Sequence, residues 1–320
     1  MKPKPDLLKL LVNIVRFIIP VVLIYWLVKQ VDWATVLPLI KQTSISMMLL
    51  SAGLFFSSHL LFAVRWKYLL KIKNIVPTYL KLLGLIMISI FASNFLPTTI
   101  GGDVVKMVGL AKDEKDNKTI AAASVIADRL YNLAGMVLLF PAALLIISKP
   151  LGIFVNSGGS IIDVSGMAAS TWINKIGLKI KKVWSASRVW FTSPWCVIYS
   201  LGLSILSVGL NFAAFWVILK GLGIHISYWQ AMAVSILSYF VALIPLAING
   251  LGIQEGSITY LLVLLGAGTD QAVAAAFLIR IVTMAVSLIG GVWLIFGGKG
   301  LLTLARQSEI EKTVLDSDKK

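Results

Sequence analysis

An all-α, polytopic membrane helix bundle is the fold class this sequence predicts, and three observations predict it. Apolar runs as long as a bilayer core recur along the chain, basic residues gather between them, and a Pro-Gly break interrupts the runs at matching places in the two halves. Hydrophobic residues make up 58% of the 320 and charged residues only 13%, with a mean hydropathy of +0.90. A soluble domain is roughly half apolar and a quarter charged.

A spanning helix needs about 20 largely apolar residues. Runs of that kind lie at about 10–28, 47–64, 79–96, 120–147, 196–219, 229–247 and 271–297. Two further pieces, 103–112 and 253–266, are apolar but short or interrupted, so the expectation is seven to nine spans with two broken or re-entrant helices. The first run follows Lys2, Lys4 and Lys9, and no small-residue cleavage site comes after it, which reads as a retained span rather than a signal peptide. The run 120–147 is overlong and holds Pro141, which predicts a kink or a split. The stretch 148–174, with NSGG and IDVSG, reads as a loop. After it, Lys175, Lys179, Lys181, Lys182 and Arg188 interleave with Ile176, Leu178, Trp184, Trp190 and Phe191, the pattern of a basic interfacial helix over 175–191. Residues 301–320 form a polar tail, so the domain reading is one transmembrane domain, 1–300, with repeat halves at about 47–147 and 196–297.

The chain carries 29 basic against 14 acidic residues, a formal charge of +15. Lys and Arg between apolar runs mark loops held at a cytoplasmic, anionic leaflet. They place both termini in the cytoplasm of a cell-membrane protein. No nucleic-acid-binding module is present, so nucleic acid is not an expected partner. Cys196 is the single cysteine, and His59 and His225 have no metal-ligand spacing around them, so neither a disulfide nor a metal is expected. Without G-x-x-x-x-G-K-[ST], G-x-S-x-G or H-E-x-x-H, no enzymatic reading finds its parts, and no cofactor is expected. Trp26, Trp33, Trp66, Trp229 and Trp293 sit near helix ends, as interfacial belts do.

The two halves share an order of features. Pro97-x-x-Ile100-Gly101-Gly102 corresponds to Pro245-x-x-Ile248-Asn249-Gly250. Each is followed by an alanine cluster and an arginine within an apolar helix, Arg129 in one half and Arg280 in the other. Charge placement gives the helices before the two breaks opposite directions, which predicts an inverted-topology repeat, the plan of many secondary transporters. Broken helices in such folds line a polar cavity near the midplane.

An ionisable side chain in an apolar stretch is costly unless paired or wetted. Asp103, Lys106, Asp128, Arg129, Glu255 and Arg280 all lie beside the breaks, three acids and three bases, and predict pairing around one cavity. Gly101 and Gly102 allow close backbone approach, and the helix that follows offers free N–H groups to a phosphate. Asn249, Gln254 and Glu255 supply the matching polar set, while Arg129 and Arg280 are forks suited to bidentate phosphate recognition. Asn94, just before its break, reads equally as cap or ligand. The plainer reading of these residues is that they only hold helices together.

At these same positions the sequence resembles a known family. RWKYLL (65–70), NFLPTTIGGDVVKM (94–107), ADRLYNLAG (127–135) and PLAINGLGIQEGS (245–257) resemble the recurring blocks of the lysylphosphatidylglycerol synthetase transmembrane-region family, over most of residues 50–297. That family includes the flippase half of the bifunctional multiple peptide resistance factor. The resemblance implies lipid translocation. By motif match it carries the family's functional positions onto Arg65, Asn94, Pro97, Gly101, Gly102, Asp103, Asp128, Arg129, Asn249, Gly250, Glu255 and Gly256. Two departures stand out: Asp128 occupies a position where Glu is common, and no soluble acyltransferase domain accompanies these spans.

The function expected from all of this is a flippase-type transporter. It moves an anionic or aminoacylated phospholipid, or a lipid-linked sugar, through a polar cavity at two broken helices. The alternative is a non-transporting scaffold that partners a lipid-modifying or glycosyltransferase enzyme. Membrane lipids are the expected partners in either case.

Overall fold

The computed structural model describes residues 33–94, 101–111, 118–148, 190–243 and 252–297. Within them the helices are α1 (Trp33–Gln42), α2 (Ile45–Lys71), α3 (Tyr79–Ser93), α4 (Gly101–Ala111), α5 (Lys118–Ser148), α6 (Pro194–Gly221), α7 (Tyr228–Ala242), α8 (Ile253–Leu264) and α9 (Thr269–Gly297). No strand occurs among the described residues. The expected span at 10–28, the loop 148–174, most of the basic segment and the polar tail lie outside them, as do Pro97, Asn249 and Gly250.

Four helices, α2, α5, α6 and α9, are long and apolar enough to cross a bilayer. The two runs expected to span at 79–96 and 229–247 are shorter. α3 and α7 have 15 residues each, about 22 Å of helix against a core of about 30 Å. The sequence misses this because apolar character continues past both helix ends into the breaks. Pro141 does not split the overlong run either: α5 continues through it to Ser148.

Helix lengths repeat along the chain. α2 to α5 have 27, 15, 11 and 31 residues, and α6 to α9 have 28, 15, 12 and 29. A hydrogen bond repeats as well. Tyr79 is the first residue of α3 and donates its hydroxyl to the Leu60 carbonyl on α2; Tyr228, the first residue of α7, donates to the Gly209 carbonyl on α6. Donor and acceptor are 19 residues apart in each case. The two halves are the same unit of supersecondary structure.

Their relative sense is read from the seam between α2 and α6. Tyr68 packs on Tyr199, Arg65 bonds Ser204, Ser51 bonds the Ala214 carbonyl, and Met47 lies against Gly221. Positions rise on one helix as they fall on the other, so the two helices are antiparallel. Equivalent spanning helices that run in opposite directions make the repeat inverted. Helices α5 and α6 run the same way, since Tyr131 and Gly135 meet Cys196 and Ser204 in that order. Ser148 and Pro194 therefore lie toward opposite ends of the bundle.

Small residues set the close approaches. Within the α3–α4 pair, Gly102 sits against Ser89 and Ser93 while Gly109 sits against Leu85. This order makes the pair an antiparallel hairpin that returns toward the end from which it entered. Serines and glycines suit such a contact, because without a hydrophobic drive in lipid it is backbone proximity that holds helices together. The halves also interlock. α3 lies on α9, where Asn94 donates to the Ser287 hydroxyl and Gly290 and Gly291 face Met87 and Phe91. In the other half α7 lies on α5, where Phe140 meets Phe240 edge-on.

A Cβ on Gly290 would overlap the Met87 carbonyl, which is backbone and cannot turn aside. Gly290→Ala should therefore cost about 1–3 kcal/mol and lower the detergent melting temperature. Nothing lies within 4 Å of a Cβ on Gly53, so Gly53→Ala should leave that temperature equal or higher through helix propensity. Equal melting of the two variants would mean that α3 and α9 are not in this contact.

Two aromatic expectations change. Trp66, expected near the membrane interface, is fully buried and donates Nε1–H to the Ser124 hydroxyl. Trp190, part of the basic segment, is also fully buried; its Nε1–H bonds the Leu69 carbonyl and its own carbonyl accepts the Tyr131 hydroxyl. A ring with a polar handle can be held by protein carbonyls as well as by lipid headgroups, and sequence does not separate the two. Trp229 is exposed, as an interfacial ring should be.

Candidate functional site

The charged residues resolve into three separate pairs. Arg65 of α2 meets Asp128 of α5 through Nε at 2.8 Å and Nη2 at 2.7 Å, and its Nη1 donates to the Ser204 hydroxyl of α6. Both members are buried, and the guanidinium lies over the Phe62 ring. Arg129 pairs with Asp103, whose other oxygen is 3.6 Å from Lys106 Nζ. Arg280 donates Nε–H to Glu255 at 2.5 Å, and its Nη2 lies 3.4 Å from the Gln254 side-chain oxygen Oε1. Asp128 and Arg129 are neighbours in sequence, but they turn to different partners, because adjacent helical residues do not face each other.

The second and third pairs are the same object in the two halves. Asp103 and Glu255 are each the third residue of their short helix. Arg129 and Arg280 are each the twelfth residue of the long helix that follows. An acid in the first turn of a helix is favoured by the free N–H groups there. Glu255 uses that position fully: its second oxygen accepts the Gly252 N–H at 2.7 Å, the reach-back half of a capping box. Gly252 has φ +80, which glycine adopts without strain.

A cavity of ≈ 360 Å³ opens between the halves. It is built on the same symmetry. Phe62 and Asn211 hold the same place in α2 and α6, Ile90 and Tyr239 in α3 and α7, and Asn132 and Thr283 in α5 and α9, and all six line it. The cavity therefore straddles the seam, but it reaches only one of the two matching ion pairs. Gln254, Glu255 and Arg280 lie in its wall; Asp103, Lys106 and Arg129 do not. The second residue of each short helix accounts for the difference. Gly102 lets α4 close onto Ser89 and Ser93, whereas its counterpart Gln254 extends into the cavity.

The expectation is one cavity ringed by all the charges; among the described residues, Glu255 and Arg280 are the charges that line this one. Of the predicted site residues, Asn94, Gln254, Glu255 and Arg280 line the cavity. Arg65 and Asp128 fix α2, α5 and α6 to one another, and Gly102 is a packing glycine. Gly101 opens α4, and Gly256 has open space beside it. Asn94 is both the C-cap of α3 and a donor to Ser287. Asn132, Asn211, Ser235, Tyr239 and Thr283 also line the cavity, and the sequence reading passed over them. Their one available signal was a polar side chain within an apolar run. Asn132 Oδ1 is buried with no hydrogen-bond partner among the described residues, a cost of about 1–3 kcal/mol. Among the described residues no cluster could hold a metal.

The model of the lysylphosphatidylglycerol synthase TM region matches residues 13–291 of this chain. The chain belongs to this family. Two members from archaea are similar along most of their length, and both are named as UPF0104 membrane proteins. The one from Pyrococcus horikoshii is 24% identical, covering 85% of this chain and 94% of the relative. The one from Methanothermobacter thermautotrophicus is 22% identical, covering 75% and 80%. The family match takes in both halves of the repeat, both short-helix pairs and all three ion pairs. This member of the lysylphosphatidylglycerol synthase transmembrane-region family is an integral membrane protein whose apolar helices form one interlocked bundle.

Proposed function

We propose that the protein is a flippase-type transporter that carries a lipid headgroup across the membrane through the cavity between its halves. The observation that carries the reading is the Glu255–Arg280 pair, open to a cavity of mixed polar and apolar lining within an apolar bundle and repeated in inverted sense as Asp103–Arg129. A charge inside a membrane is held only where it does something worth its desolvation. An arginine held by one carboxylate can exchange that carboxylate for the phosphate of a headgroup, since both ligands fit the same fork. The second pair offers the same exchange in the half of opposite orientation. We place the protein in the cell membrane with both termini cytoplasmic, following the distribution of Lys and Arg, and read it as moving its cargo without altering it.

The test is leaflet exchange in liposomes. Purified protein, reconstituted with tail-labelled phospholipid, should raise the fraction of label quenched from outside above one half within minutes. Quenching that stays at the protein-free level would sink the transport reading. A scaffold for a lipid-modifying or glycosyltransferase partner would then be the better account.

A further inference from the structure

The two matching ion pairs are not chemically equal, and the inequality bears on what the cavity accepts. At the sixth position of its short helix the first half has Lys106 and the second has Ile258. Asp103 is therefore shared between two cations, Lys106 and Arg129, and that cluster keeps a surplus positive charge. Glu255 and Arg280 balance each other. The surplus cluster borders the cavity without lining it. Arg129 lies one helical turn before Asn132 on α5. Ser93, in the cavity wall, packs on Gly102 beside Asp103.

Within the cavity, Glu255 and Arg280 are the only charged residues among those described. Both Glu255 oxygens are engaged, one by Arg280 and one by the Gly252 N–H. The segments 95–100 and 244–251, which join the short helices, contain no acidic or basic residue. The remaining polar wall consists of neutral donor–acceptor groups: Asn132, Asn211, Ser235, Tyr239 and Thr283. Asn132 also has unused hydrogen-bonding capacity. An ammonium group entering this space would lose its water and find no free carboxylate among the described residues of the wall, which is expensive. A hydroxyl, donor and acceptor at once, matches the neutral amides and hydroxyls that are set among the apolar side chains of this wall.

We infer that the cargo is an anionic phospholipid with an uncharged, hydroxyl-bearing headgroup, its phosphodiester drawn by Lys106 and Arg129 and its hydroxyls received by the neutral polar groups of the cavity wall, and that lipids ending in an ammonium are discriminated against. This rests on the transport reading for its meaning in the cell. The binding selectivity itself does not.

Native mass spectrometry of the full chain with an equimolar, tail-matched mixture of phosphatidylglycerol, phosphatidylethanolamine and lysyl-phosphatidylglycerol reads the selectivity directly. Phosphatidylglycerol should be retained on the order of ten-fold more than either amine-bearing lipid, a difference of about 1.4 kcal/mol. Asn132→Asp supplies the carboxylate the cavity lacks and should shift retention toward the lysyl lipid. Thr283→Asp does the same from the symmetry-related wall, should the first variant fold poorly. Equal or greater retention of the lysyl lipid by the unaltered protein overturns the inference. So does displacement of phosphatidylglycerol by soluble glycerophosphoglycerol at the same concentration, which would make the cargo a free phosphodiester. The same three lipids in the exchange assay separate the two readings: selective binding without any exchange removes the transporter and leaves the ligand class standing.

Discussion

Glu255→Gln should leave the protein folded and inserted while reducing lipid exchange by at least about ten-fold, a loss of about 1.4 kcal/mol at the rate-limiting step. The amide can still accept the Gly252 N–H, so the start of α8 survives. What it cannot do is neutralise Arg280, which among the described residues then keeps the Gln254 side-chain oxygen Oε1 at 3.4 Å. An unbalanced guanidinium should hold an anionic headgroup more tightly and release it more slowly. Binding should therefore strengthen as exchange falls, a divergence that structural damage does not produce. The folding cost should be modest, about 1–3 kcal/mol, because the pair lines a cavity rather than a filled core. Detergent melting and lipid retention, measured beside exchange, decide the matter. A variant with normal exchange would remove Glu255 from the mechanism.

Arg65→Met should have the largest effect on stability. It strands Asp128 in a site where that residue is only 6% exposed, and removing one partner of a buried pair costs about 3–5 kcal/mol. It also takes a donor from Ser204, which ties α6 into the same junction. Arg65→Met combined with Asp128→Leu removes both charges and should recover most of the loss, since apolar replacement of a buried pair is often neutral. Fluorescence-detected size exclusion and melting temperature would show whether the double variant regains a folded peak. If it regains the fold and still exchanges lipid, Arg65 and Asp128 are parts of the frame. If it regains the fold and loses exchange, the role implied by their motif match stands, and the junction of α2, α5 and α6 belongs to the transport path.

The bundle, its breaks and its repeat are legible in the sequence because each has a local signal. Apolar runs mark α2, α5, α6 and α9, and the Pro-Gly breaks mark the short pairs. Partnerships are less legible. Nothing near Arg65 says that it reaches Asp128, 63 residues away, or that Arg129 turns from its neighbour to Asp103. Burial is hidden too, because lipid is as apolar as a core: Leu145 is 61% exposed and Leu82 fully buried, yet both are leucines in apolar runs. The interfacial reading of Trp66 fails for that reason. The cavity's neutral wall was missed because an Asn or Tyr in an apolar run carries less desolvation cost than a charge, and so draws less attention. One overlooked signal was in plain view: Thr78-Tyr79 and Ser227-Tyr228 open α3 and α7 alike, and the same tyrosine bond follows each.

The interlocking of the halves has a consequence for how the molecule is made. Asn94 finds Ser287, and Met87 finds Gly290, only when the last helix is present, 193 residues downstream in the first case. At a synthesis rate of about 5–20 residues per second, α3 waits about 10–40 s for the surface it is shaped to meet. Throughout that time the side of α3 that carries Gly84, Met87, Phe91 and Asn94 lacks the α9 surface it packs on. Insertion of α9 is the step that joins this side to the second half.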